Sequence, residues 1–363
     1  MIVSEIYNGS GLGNQLWNIV APRCIAENRG FRWGVRRDTT NSGQGRSDVP
    51  SVGLKTFKGC QFLLNIDWGD EVTGGLTHQE GQEPAELPDG IQYYARERVD
   101  EYPTDLHALP NEDAMFYDDL LFNTVPDNTK IDGTFQRLRY INDRRSEITE
   151  WLKPTIPWSL RQEYVDPIIG ENINDPTEEV CVIQFRGGEY LITSAFCPEE
   201  YYAEAKKRMI EINPNMKFVC ITDDFDNACR YVDAPVIGSY MAGPGEEDPY
   251  AHLQGSGFYV YKSGPIGIDY TLLNQCKYAI ITSSTFAFWP AWTNTNAKTI
   301  IAPKYWNDYK RSDGYWRGDD NIVDDWMYLD PKDHKLMSGV DCKEEYREYR
   351  KKHSFYDDKP EVV

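Results

Sequence analysis

Arg186 is the residue of this chain best placed to do chemistry. It follows the apolar run Val182-Ile183-Gln184-Phe185 and precedes Gly187, Gly188 and Glu189. Such a run reads as a strand buried in a parallel sheet, and those sheets bind ligands beyond the carboxyl ends of their strands. A guanidinium delivered there, with two glycines clearing space beside it, suits a phosphate. Its planar fork holds two oxygens at once and keeps its charge at physiological pH. A surface arginine that merely ends a strand has the same local pattern.

Three other segments have residue types with chemical use. Phe218-Val219-Cys220-Ile221-Thr222 ends in Asp223 and Asp224. This pair can accept hydrogen bonds from a base or ribose edge, can bind a metal, or can supply Asp224 as the cap of a following helix. Asn8-Gly9-Ser10-Gly11-Leu12-Gly13 lies between a strand-like run, Ile2 to Tyr7, and a helix beginning near Asn14. The glycines let backbone approach an anion at the helix start, or they simply close a tight turn. Counting from Gly9, the sixth position of a dinucleotide fingerprint is Asn14 rather than glycine, and no Walker lysine follows; both count against a nicotinamide dehydrogenase. Finally, Ile280-Ile281-Thr282-Ser283-Ser284-Thr285-Phe286 brings hydroxyls to the start of a helix, where they can nest a phosphate or cap the helix.

These segments need a frame. Leu16, Ile19, Val20 and Cys24 share a helical face, with Gly30 as a stop and Pro22 expected to kink the helix or divide it. Residues 37–125 show weak periodicity and frequent Gly, Pro and acidic residues, as variable loops do. Order returns at Lys130 to Phe135, a strand, and at a helix expected from Leu138 to Leu152. The proline-rich stretch from Pro154 to Thr177 should include a domain link. Beyond it, apolar strands at 180–185, 217–221, 278–282 and 299–302 alternate with helices at 198–212, 226–231 and 268–276. Tyr202, Ala205, Met209 and Ile212 are expected to align on the first of these helices, and a charged helix at 343–352 ends the chain. The pattern predicts two α/β domains with a ligand between them. The expected divisions are an N-terminal domain over 1–170, a nucleotide-binding domain over 171–310 and a C-terminal extension over 311–363.

Composition narrows the partners. A net charge of −20 argues against wrapping nucleic acid or docking on anionic lipid by charge, and makes a local cation pocket necessary for any anionic ligand. The eight cysteines form no CxxC, and the five histidines lack metal-ligand spacing, the usage of a reduced, intracellular protein. With neither a leader-like segment nor a run long enough to span a bilayer, the cytoplasm is the expected location.

Gly11-Leu12-Gly13-Asn14-Gln15-Leu16 resembles the G-x-G-N-Q-[LM] start of the α-1,2-fucosyltransferases of glycosyltransferase family 11 and their protein O-fucosyltransferase relatives. The Arg186 segment resembles the H-x-R-R-x-D motif of the fucosyltransferase superfamily, with Gln184, Gly187 and Glu189 departing from it. Thr222-Asp223-Asp224 is similar to its S/T-D-D motif, and Gly133-Thr134-Phe135-Gln136 to its G-[YF]-[FW]-Q segment. The run from Asp269 to Cys276, then Ser283 to Trp292 and Ile301-Ala302-Pro303-Lys304-Tyr305-Trp306, resembles three further motifs in the family's order.

The resemblance implies two Rossmann-like domains facing a cleft, the GT-B-like arrangement. It implies inverting transfer of a sugar, L-fucose from GDP-fucose, to a hydroxyl of a glycan or glycoconjugate, with no metal or other cofactor. Arg186 would hold the donor's β-phosphate and stabilise the leaving charge, and Glu189 would occupy the motif's carboxylate position. Asp223 would read the guanine. Gly11, Gly13, Asn14, Gln15, Gln184, Gly188, Asp224, Ser283, Ser284, Thr285 and Phe286 complete the expected donor-binding set. The same fold using another nucleotide-sugar, or binding without transfer, remains open at this point.

Overall fold

The computed structural model describes residues 1–6, 11–36, 66–75, 83–84, 86–101, 113–115, 117–154, 179–238, 259–261, 267–309, 315–316, 321–359 and 361–362. The chain divides into two compact units, Met1–Lys153 with Gly318–Ile322 and Tyr346–Val363, and Pro154–Arg317 with Val323–Glu345. The division expected at 170/171 falls outside the described residues, as do residues 37–65 of the weakly patterned stretch 37–125.

Unit 1 contains β1 (Ile2–Glu5), α1 (Leu12–Asn28), β2 (Trp33–Arg36), β3 (Tyr93–Arg96), β4 (Val99–Glu101), β5 (Asp113–Met115), α2 (Asp119–Thr124), β6 (Thr129–Asp132) and α3 (Arg145–Trp151). Its sheet runs β2-β1-β6-β3 with every pairing parallel, and β4 and β5 form a separate antiparallel pair. Helix α1 runs on through Pro22 instead of dividing there. A proline has no N–H to give, so the Asn18 carbonyl four residues back loses its helical partner; the Ser4 hydroxyl of β1 donates to it at 2.6 Å. The helix expected at 138–152 is broken. Two 3₁₀ turns, Leu138–Tyr140 and Asn142–Arg144, precede α3, because Asn142 and Asp143 compete with helical backbone bonding. Beneath the carboxyl end of β1, the buried Glu5 carboxylate accepts from Lys130 Nζ at 2.7 Å and Arg36 Nη1 at 3.0 Å.

Unit 2 contains β7 (Val180–Phe185), α4 (Glu199–Ile212), β8 (Lys217–Thr222), α5 (Phe225–Tyr231), β9 (Val236–Gly238), β10 (Tyr259–Tyr261), α6 (Gly267–Gln275), β11 (Tyr278–Ile280), α7 (Thr285–Trp292), β12 (Thr299–Pro303), β13 (Met327–Leu329) and β14 (Leu336–Ser338). Helix α8 (Gly339–Arg350) follows. The strand order is β10-β9-β8-β7-β11-β12-β13-β14, parallel from β10 to β13, with β14 antiparallel at the edge. Every residue of β7 is buried, which is why it reads as an unbroken apolar run. On α4 the buried face is Tyr201, Tyr202, Ala205 and Met209. Ile212, expected on that face, is the helix's last residue and stands exposed. Residues 311–363 are shared: Val323–Glu345 adds β13 and β14 to the unit 2 sheet, and Tyr346–Val363 groups with unit 1. Both units are α/β with parallel sheets, the class the strand and helix pattern predicts.

Candidate active site

The unit 2 sheet reverses direction at one place. From β7 the chain adds β8, β9 and β10 on one side and then β11, β12 and β13 on the other. Counting β7 as the first strand, its central part has the doubly wound order in which ligands bind beyond the carboxyl ends at the reversal, here between β7 and β11. Arg186 leaves the end of β7, Asp223 and Asp224 leave the neighbouring β8, and Thr282 to Thr285 leave β11.

Arg186 Nη1 donates to Asp223 and Nη2 donates to Glu189 Oε1 at 2.7 Å. Its guanidinium carbon lies 5.0 Å from the centre of the Tyr190 ring, a contact sequence reading missed. Nε is buried without a hydrogen-bond partner, while the side chain as a whole is 24% exposed. Two carboxylates thus share the Arg186 guanidinium. Desolvation raises the Asp223 carboxyl above its ordinary value, and Arg186 and the Gly187 amide pull it down. Its side chain is 37% exposed, so water still reaches the carboxyl and limits the rise.

The glycines after Arg186 serve the two aspartates. Gly187 N donates to Asp223 Oδ1 at 3.0 Å, and Gly188 N donates to Asp224 Oδ2 at 2.9 Å. A Cβ on Gly187 would lie 2.3 Å from Asp224 Cβ, so no side chain fits there, and Gly188 is left-handed at φ +58. Asp224 also caps α5, accepting from Asn227 N at 3.3 Å and Asn227 Nδ2 at 2.8 Å. Its oxygens are therefore committed to the turn, which is the capping alternative of the sequence reading.

Gln184 points into the protein and is buried. Its Oε1 accepts from the Thr282 hydroxyl and from Thr282 N at 3.3 Å. This ties the end of β7 to the segment leading into α7. Ser283 Oγ donates to Ala195 O at 3.0 Å, and Ser284 occupies the N-cap position of α7 without a side-chain capping bond. Thr285 and Phe286 are half-buried in the helix's first turn, which contains no acidic residue. The first amides of that turn have no helical acceptor and the helix dipole lies behind them, an arrangement that favours anions in general.

Gly11, Gly13, Asn14 and Gln15 belong to unit 1. Gly11 holds the N-cap position of α1, and Gln15 N donates to Gly11 O at 3.0 Å. Asn14 Oδ1 accepts from Gln136 Nε2 at 3.3 Å, which links the glycine loop to the Gly133-Thr134-Phe135-Gln136 segment. Lys304 is not part of either constellation. It is buried, donates to Asp330 Oδ2 at 2.7 Å and pairs with Glu345 at 2.7 Å. Lys304 thus ties the end of β12 to the end of β13 and to Glu345.

Residues 132–330, more than half of the chain, match the model of the family described as Glycosyl transferase family 11. Among solved structures the chain is similar to NodZ α-1,6-fucosyltransferase in a crystal soaked with GDP-fucose. That alignment has a TM-score of 0.33 and 13% identity, and it covers 85% of this chain and 96% of the other. No curated protein sequence matches. Among the described residues, no helix is long and apolar enough to cross a membrane.

Proposed function

We propose, on the premise that this chain belongs to glycosyl transferase family 11 and is a glycosyltransferase, that it moves L-fucose from GDP-fucose to a hydroxyl of a glycan acceptor with inversion. The observation that carries this reading is Arg186 at the sheet reversal, beside the open first turn of α7. The acceptor oxygen forms a bond to the anomeric carbon as the bond to the β-phosphate oxygen breaks, and GDP departs with that electron pair. The acceptor proton goes to Glu189 or to the departing phosphate. Arg186 and the α7 amides stabilise the charge that builds on the leaving group, and a preorganised donor of this kind contributes about 10²–10³ in rate.

Donor binding exchanges one partner of Arg186 for phosphate, and the released Asp223 is then free to accept from the guanine N–H groups. Gln184 positions the β7 and β11 ends, and Asp224 holds the Gly187-Gly188 turn. Ser283, Ser284, Thr285 and Phe286 line the phosphate end. Gly11, Gly13, Asn14 and Gln15 are proposed to contact substrate. The reaction needs no metal, which chelation before assay checks directly. Because Gln184 is committed to Thr282, a different nucleotide-sugar is the second reading.

The test combines a nucleotide panel with one variant. GDP should raise the melting temperature more than UDP, ADP or CMP; preference for another base would move the donor assignment. Arg186→Ala should lower turnover by about 10² or more, and an alanine variant of near-normal rate would remove Arg186 from the mechanism.

A further inference from the structure

Unit 1 holds a buried carboxylate that the reaction above does not use. Glu97, the residue after β3, is 3% exposed, and burial pushes it above its ordinary value against the pull of Arg137. Its Oε2 accepts from Phe135 N at 2.8 Å and from the Thr134 hydroxyl at 3.4 Å. Its own N–H donates to Asp132 O at 2.8 Å, so it grips the chain as it leaves β6. The gripped turn is strained. Phe135 has φ +51, a left-handed conformation that bulky L residues avoid. A Cβ on Gly133 would lie 2.5 Å from Glu97 Cβ. Strain of this kind persists only where the surroundings over-determine it, and it gathers at functional sites.

What the turn presents is Gln136. Its carbonyl accepts from the Arg137 guanidinium and from Asn321 Nδ2 at 3.0 Å, and its side chain donates to Asn14 in the first turn of α1. β1 and β6 are parallel neighbours in the sheet, and the Gln136–Asn14 bond joins the turn after β6 to the start of α1, the helix that follows β1. We propose that Glu97 is a positioning residue for sugar transfer, fixing the Phe135 turn so that Gln136 holds Asn14 and the glycine loop in their working arrangement. This rests on the reading that residues 11–15 meet substrate.

The experiment compares Glu97→Ala, Glu97→Gln, Gln136→Ala and the Glu97→Ala/Gln136→Ala pair. Glu97→Ala should lower kcat at least about tenfold with the GDP-fucose KM within about threefold, and the glutamine variant, which keeps an acceptor, should recover most of the loss. The double variant should be no slower than the worse single one, since both act through one contact. Amide hydrogen exchange should quicken over residues 11–16 in Glu97→Ala and stay unchanged over β7 and β8. Multiplying losses, or unaltered exchange at residues 11–16, would overturn the proposal. Should the wild type ignore GDP-fucose, the proposed donor fails, and the exchange measurement still decides the role of Glu97.

Discussion

Gly187 stands where the related motif has a second arginine, and its surroundings explain the change. Asp224 packs against its α-carbon so closely that an added Cβ would meet the carboxylate at 2.3 Å. The space a second guanidinium would need is filled by an aspartate that caps α5 and binds the Gly188 amide. Gly187→Ala should therefore displace Asp224, destabilise the fold by about 1–3 kcal/mol and weaken nucleotide binding more than Gly188→Ala does. Chemical denaturation and calorimetry with GDP check both parts. The sequence made Arg186 and the two aspartates legible because each ends an apolar run. It did not reveal that Asp223 and Asp224 bind successive glycine amides, or that Gln184 reaches Thr282. Those contacts depend on which strands are neighbours, and β7 sits between strands distant from it in the chain.

At the scale of elements, legibility followed burial. β7 and β8 read almost to the residue because strands covered on both faces are continuous apolar runs. β13 and β14 have only three residues each and left no periodicity to read. The break before α3 has a local cause, Asn142 and Asp143 competing with helical bonding, whereas the undivided run of α1 through Pro22 does not. Local propensity cannot see a tertiary partner such as the Ser4 hydroxyl. Charge can also be an element's fastening. Lys130 on β6 and Arg36 on β2 meet Glu5 on β1, and Lys130 and Glu5 are both almost wholly buried. Lys130→Met should destabilise unit 1 by about 3–5 kcal/mol, since it leaves a buried carboxylate short of a partner. A Lys130→Met/Glu5→Leu double variant should regain much of that loss, as read by denaturant midpoint.

Over the whole molecule, the family match begins at the end of β6 and takes in all the strands of unit 2 except β14. The strands β1 to β5 lie outside it, although Gly11-Leu12-Gly13-Asn14-Gln15-Leu16 there resembles the family's opening motif. A protein of net charge −20 repels a nucleoside diphosphate at long range, so the proposed donor would need a local cation, the role proposed for Arg186. Asp223 and Glu189 both engage that cation. In the proposed reaction Asp223 would be a tethered rival of the phosphate and, once displaced, a reader of the base. Neutralising it separates the two effects: Asp223→Asn should hold inorganic pyrophosphate more tightly than the wild type while discriminating less between GDP and ADP. On that reading the enzyme would give up raw affinity for the common part of all nucleotides in exchange for choosiness about the part that differs.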